Sequence, residues 1–120
     1  MKLDKIISVL DAEILCIVKN KLNSDITKAC GADLMSDVLA FVQPDTLLLT
    51  GLTTPQVVYT AENAGVNVVC FVRGKKPHKE TVDLAKEKKI TLLVTKIPMF
   101  ESCGILYKNG LMGYSEISKQ

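Results

Sequence analysis

The sequence predicts a single α/β domain with a mostly parallel sheet covered by helices. Three observations predict it. Apolar runs at Thr46–Thr50, Asn67–Val72 and Ile90–Val94 recur with a period of roughly 22–24 residues. Their unbroken Leu, Val and Ile content marks strands buried on both faces, as parallel sheets require. Each run passes through a short turn into a stretch of helical periodicity, and alternating strands and helices build parallel βαβ units. Right-handed crossovers then bring the three turns to one edge of the sheet.

The elements follow in order. Leu3, Ile6, Ile7 and Leu10 fall at helical spacing and predict a short amphipathic helix. Glu13–Val18 is apolar and strand-like, and residues 19–24 form a polar turn. Ile26–Cys30 alternates as a second short strand, which Gly31 breaks. Asp33 or Ser36 is placed to cap the next helix, whose stripe is Met35, Val38, Leu39 and Val42. Pro44-Asp45 ends it. After the Thr46–Thr50 strand, Thr53 or Thr54 is placed to cap a helix with Pro55 in its first turn, where a missing N–H is harmless. Gly65 is its stop. Pro77 opens the following helix, with Leu84 and Ala85 facing inward, and Pro98 opens the last. That helix carries the stripe Met99, Cys103 and Leu106 and ends at Gly110. The domain is thus expected over residues 1–110, with 111–120 as a loose tail or a partner-facing edge.

Composition narrows the function classes. At 120 residues and 48% hydrophobic content the chain has material for one real core. A net charge of +2, with Arg73 as the sole arginine, gives little for base or phosphate forks, so nucleic acid is not expected. No tryptophan and three each of Phe and Tyr leave few stacking platforms. No apolar run approaches a membrane span, and the charged start Met1–Lys5 does not read as a signal peptide, so a cytoplasmic location without membrane contact is expected. Cys16, Cys30, Cys70 and Cys103 are scattered and His78 is the only histidine, so no metal site or cofactor is expected. Buried thiols behave as small hydrophobes, the reading given to Cys16 and Cys70. No nucleophile–base pair or carboxylate pair specifies a reaction, and the expected activity is non-catalytic.

The turns carry what functional signal there is. Thr50-Gly51-Leu52-Thr53-Thr54 places glycine and hydroxyls beside a helix start, where free N–H groups and a partial positive charge attract anions. Helix capping explains the same threonines. Arg73-Gly74-Lys75-Lys76 puts basic side chains before a helix N-terminus, against the macrodipole unless an anion neutralises them. A solvated, solubilising turn is the alternative. Thr95-Lys96 adds one hydroxyl and one amine. The candidate site is therefore Thr50, Gly51, Thr53, Thr54, Arg73, Gly74, Lys75 and Lys76, with a nucleotide or other phosphate-bearing anion as ligand.

Four segments resemble the DRTGG domain family, in its small stand-alone bacterial form: Ala29–Ala40, Leu47–Thr53, Phe71–Pro77 and Met99–Gly104. The resemblance implies a compact, usually dimeric α/β domain like the N-terminal domain of HPr kinase/phosphorylase. Such domains accompany CBS pairs in regulated pyrophosphatases or precede phosphotransacetylase domains, as regulatory or assembly modules. Stand-alone members are often encoded beside iron hydrogenase and related redox genes, which implies a redox-enzyme partner. Leu52-Thr53 stands at the family's Asp-Arg and Arg73-Gly74-Lys75 at its Thr-Gly-Gly, so one glycine of the naming motif remains. The expectation is a dimeric, ligand-sensing regulatory domain. Its rival is a protein-interaction module whose basic turn docks an acidic or redox-enzyme partner.

Overall fold

Every residue of the three central apolar strands is buried, as a sheet covered on both faces demands. The computed structural model describes residues 1–19 and 21–113. Among these, five strands form one sheet: β1 (Glu13–Cys16), β2 (Lys28–Gly31), β3 (Thr46–Thr50), β4 (Val68–Phe71) and β5 (Thr91–Val94). Their spatial order is β1-β5-β4-β3-β2. β2 to β5 are parallel, in registers such as Leu47 with Val68 and Val68 with Thr91. β1 alone runs antiparallel, on β5.

Alternation along the strands divides the core in two. Leu48, Val69 and Leu92 face α2 (Met35–Phe41), α3 (Gln56–Ala64) and α4 (Lys79–Lys88), meeting Val38, Val57, Ala61 and Ala85. Leu47, Leu49, Cys70 and Leu93 face α1 (Leu3–Val9) and α5 (Met99–Lys108), meeting Leu3, Ile6, Leu10 and Leu106. Each fully buried leucine stabilises by about 1.5–3 kcal/mol. The helices that follow β2, β3 and β4 thus share one face, whereas the helix that follows β5 crosses to the other. The chain's exits diverge between β4 and β5, the place where open α/β sheets form a crevice.

Several expectations need correction. β1 stops at Cys16, and the second strand begins at Lys28. Ile26 is instead buried beneath α1, its N–H bonded to the Met1 carbonyl at 2.8 Å. Gly31 is the last residue of β2, one later than expected, and a Cβ there would stand 2.9 Å from Cys103 Sγ and 3.0 Å from Met99 Sδ. Glycine at the strand end thus also serves close packing of β2 under α5. Leu39 is exposed rather than part of the α2 stripe. α4 begins at Lys79, two residues after Pro77. Gly65 does end α3, with φ of 75° and Pro44 Cγ at 3.3 Å from where a Cβ would sit. Beyond residue 110 the chain remains packed: Leu111 is buried and the Ala29 N–H bonds the Met112 carbonyl at 2.9 Å. The rest of the expected tail, 114–120, lies outside the described residues.

Candidate functional site

The C-terminal ends of β3, β4 and β5 lie side by side, so the three turns share one edge. The first turn is built on a residue the sequence reading gave another task. Asp33 does not cap α2, whose N-cap is Leu34 with no side-chain hydrogen bond. Its carboxylate accepts the Thr50 hydroxyl at 2.9 Å and the Gly51 N–H at 2.7 Å. The Thr50 oxygen in turn accepts the Leu52 N–H at 3.1 Å. Thr50 is fully buried and its hydroxyl committed on both sides. It shapes the turn and presents no free group to solvent.

Thr53 and Thr54 do not cap α3 either: Pro55 occupies the N-cap and no side chain bonds the helix start. The Thr53 carbonyl gathers the Thr81 hydroxyl at 2.8 Å and the His78 N–H at 3.4 Å, tying this turn to the start of α4. The Thr54 carbonyl accepts the Val57 N–H at 3.1 Å. Among the described residues, no partner bonds the hydroxyls or N–H groups of Thr53 and Thr54. Capping, the competing explanation for these threonines, is therefore not what they do.

The second turn is tighter than the sequence suggests. Arg73 and Gly74 both hold positive φ, 61° and 68°, and the Lys75 N–H closes on the Val72 carbonyl at 3.2 Å, as in a type I′ turn. The Arg73 N–H bonds the Ile97 carbonyl at 3.1 Å and the Gly74 N–H bonds the Thr95 carbonyl at 2.8 Å. These bonds stitch the second turn to the third and fill the crevice between β4 and β5. The amides of this turn are spent on structure, so any anion here meets side chains. The Lys75 stem lies beside Gly51, its Cδ 3.9 Å from where a Cβ would sit, and the Lys96 stem stands equally close to Gly74.

Lys76 leaves the group: its ammonium pairs with Glu13 of β1 at 3.5 Å. Arg73, Lys75 and Lys96 have no ion-pair partner among the described residues. The conflict with the helix dipole is also smaller than the sequence implies. Arg73, Lys75 and Lys76 all lie before α4; the lysine in its first turn, Lys79, pairs with Asp83 at 2.8 Å. In the third turn the buried Thr95 hydroxyl donates to the Leu10 carbonyl at 2.6 Å and accepts the Ile97 N–H at 3.2 Å. Thr95 thus repeats the device of Thr50 with a backbone carbonyl in place of Asp33.

The structure therefore brings Gly51, Thr53, Thr54, Arg73, Gly74, Lys75 and Lys96 to one edge. Thr50 lies beneath it and Lys76 turns aside. The sequence reading missed Asp33 as the anchor of the first turn. Its position at the end of the second strand, with β2 beside β3, is the signal that a sheet order would have exposed. Four clefts of the molecule lie away from this edge. No three of His, Cys, Asp and Glu gather among the described residues where they could hold a metal ion. None of the four cysteines is in a disulfide among the described residues. Burial pushes the Cys70 thiol up to about 12, and burial also raises Cys16 and Cys103.

Residues 5–107 match the family model of the DRTGG domain. The chain belongs to the DRTGG domain family. By structure, this DRTGG domain is similar to the CBS and DRTGG domains of the regulatory region of Clostridium perfringens pyrophosphatase, complexed with its activator, diadenosine tetraphosphate. The likeness has a TM-score of 0.73 at 19% identity, over 98% of this chain and 52% of that one. This chain therefore spans about half the length of its structural neighbour, and the likeness is one of fold. No curated protein matches the sequence. Among the described residues, no helix is long and apolar enough to cross a membrane.

Proposed function

We propose that this DRTGG domain is a non-catalytic regulatory module that senses a phosphate-bearing small molecule, of nucleotide type, at the strand C-terminal edge. One observation carries the reading: Arg73, Lys75 and Lys96, none ion-paired among the described residues, stand on turns that share one edge with the unbonded N–H groups of Thr53 and Thr54, and the Lys75 stem reaches Gly51. Backbone N–H groups at a helix start and guanidinium or ammonium groups are the usual partners of phosphate. In this arrangement Thr53 and Thr54 hold one phosphate through their amides and hydroxyls. Lys75, laid across Gly51, and Arg73 balance its charge. The nucleotide activator of the pyrophosphatase regulatory region supports the ligand class. Calorimetry with adenine nucleotides at low salt tests this on the wild type and on Arg73→Ala/Lys75→Ala. Binding that weakens at least about tenfold in the double variant is expected. Absence of binding, or equal binding by the variant, sinks the proposal.

A second reading is favoured by α5. Phe100 and Tyr107 are 84% and 71% exposed, and Gly104 lies open between them at helical spacing. Exposed aromatics beside a bare glycine suit a covered surface. In this reading a second copy packs there, giving a cytoplasmic homodimer, and the basic turn docks an acidic or redox-enzyme partner. Sedimentation of wild type against Phe100→Ser/Tyr107→Ser tests the dimer. A wild type that stays monomeric at high concentration rules it out.

A further inference from the structure

The edge of the sheet opposite the turns holds a cleft of about 310 Å³. Its floor is the N-terminal ends of β3, β4 and β5, with Val68 and Ile26 as apolar surface. Charged side chains stand on its two sides. The register that pairs Leu47 with Val68 and Val68 with Thr91 sets Asp45 and Lys89 at one level, two strands apart. Two strand spacings separate their backbones by roughly 10 Å. No ion pair joins them, and neither side chain has a hydrogen-bond partner among the described residues. Asn67 lies between them with its carboxamide likewise unbonded. Thr91 accepts the Val18 N–H at 3.3 Å and keeps its own proton to donate. The other carboxylate of the cleft, Asp25, is already held by Lys2 at 3.2 Å.

The backbone at these two positions adds a second observation. Asp45 and Lys89 both sit at positive φ, 65° and 59°. Glycine is the residue that adopts this conformation without steric cost, and Gly65 does so at the equivalent turn before β4. The chain instead keeps an acid and a base in strained conformations, and both line one cleft. Lys89 takes this conformation as the C-cap of α4, as Gly65 does for α3, and a charged residue there in place of glycine is consistent with a task for its side chain.

We infer that this cleft binds a small zwitterion, a free α-amino acid. The ammonium group meets Asp45, the carboxylate meets Lys89, Asn67 and Thr91 bond the remaining lone pairs and protons, and the side chain rests on Val68 and Ile26. The cleft volume is at the small end of ligand sites and suits such a molecule. Asp45 and Lys89, both exposed at the cleft rim, present one charge of each sign, with Lys21 as a second cation in the lining, so a ligand with both charges on one skeleton is matched at both ends. The site is separate from the turn edge and does not depend on the reading given to that edge.

The test is an NMR titration of the full chain with the standard free amino acids, following the amides of Thr46, Asn67 and Thr91. At least one amino acid should shift them saturably. The matching amine without the carboxylate, and the matching acid without the amine, should not. Asp45→Asn and Lys89→Gln should each weaken binding tenfold or more, whereas Arg73→Ala/Lys75→Ala leaves it unchanged. Asp45→Gly and Lys89→Gly should melt at higher temperature than wild type and fail to bind. The inference is overturned if no amino acid shifts these amides, if either single-charge analogue binds equally, if Asp45→Asn and Lys89→Gln bind like wild type, or if the Arg73/Lys75 variant abolishes binding.

Discussion

Asp33→Ala is the substitution whose effect the structure specifies most closely. The carboxylate accepts two hydrogen bonds, from the Thr50 hydroxyl at 2.9 Å and the Gly51 N–H at 2.7 Å. A hydrogen bond to a charged group contributes about 1.5–3 kcal/mol. Two considerations reduce the sum. Asp33 is itself exposed, and water can replace it at the Gly51 N–H. Water reaches the Thr50 hydroxyl only if the turn opens, because Thr50 is fully buried. The expected loss is therefore about 2 kcal/mol, mostly from Thr50. Unfolding entropy scales as about 2.1 cal/mol/K per residue, so for 120 residues this loss lowers Tm by about 8 °C. Urea and thermal melts followed by circular dichroism measure both quantities. A double-mutant cycle with Thr50→Val should return a coupling of about 1 kcal/mol. A loss below about 0.5 kcal/mol, or strictly additive effects, would refute the view that Asp33 anchors this turn.

Three further outcomes follow from other contacts. Arg73→Gly relieves a non-glycine residue at φ 61°, so stability should rise by about 1 kcal/mol in urea melts while anion affinity falls. Gly31→Ala pushes a methyl to 2.9 Å from Cys103 Sγ and 3.0 Å from Met99 Sδ, and should cost about 1–2 kcal/mol that adding Cys103→Ala restores in part in thermal melts. The Cys70 thiol, raised by burial from 9.0 to about 12, keeps its proton where the unfolded chain's thiol has lost it. Its contribution is complete below pH 9 and disappears as pH rises through about 12. At pH 10.5, wild type should lose about 2 kcal/mol more than Cys70→Val relative to pH 8, and equal losses would exclude the effect.

The fold was legible where burial is two-sided. Leu47–Leu49, Val68–Phe71 and Leu92–Val94 have no polar positions to confuse the pattern, and the strand assignments hold. Legibility fails where a residue's partner is distant in sequence. Asp33 reads as a helix cap until β2 is seen beside β3, which sets it against Thr50 seventeen residues on. Lys76 reads as one of a basic cluster until β1 returns to the β5 edge and supplies Glu13. Local preference likewise misled at Thr53 and Thr54, good capping residues displaced by Pro55. The cleft at the other edge drew no attention, because Asp45, Asn67 and Lys89 come together only through the register of three strands.

The place of β1 bears on how the chain acquires its structure. β2 to β5 pair with strands that are near neighbours in sequence, each a helix away. Glu13 pairs with Val94, so β1 must wait until almost the whole domain has been synthesised. During that interval Ile14 and Leu15 have no sheet to join, and β5, once made, offers a bare apolar edge. Long-range pairing of this kind slows folding and leaves intermediates open to association. The nascent chain is therefore most vulnerable with β2 to β5 assembled and β1 undocked, and docking β1 seals the sheet beside the third turn.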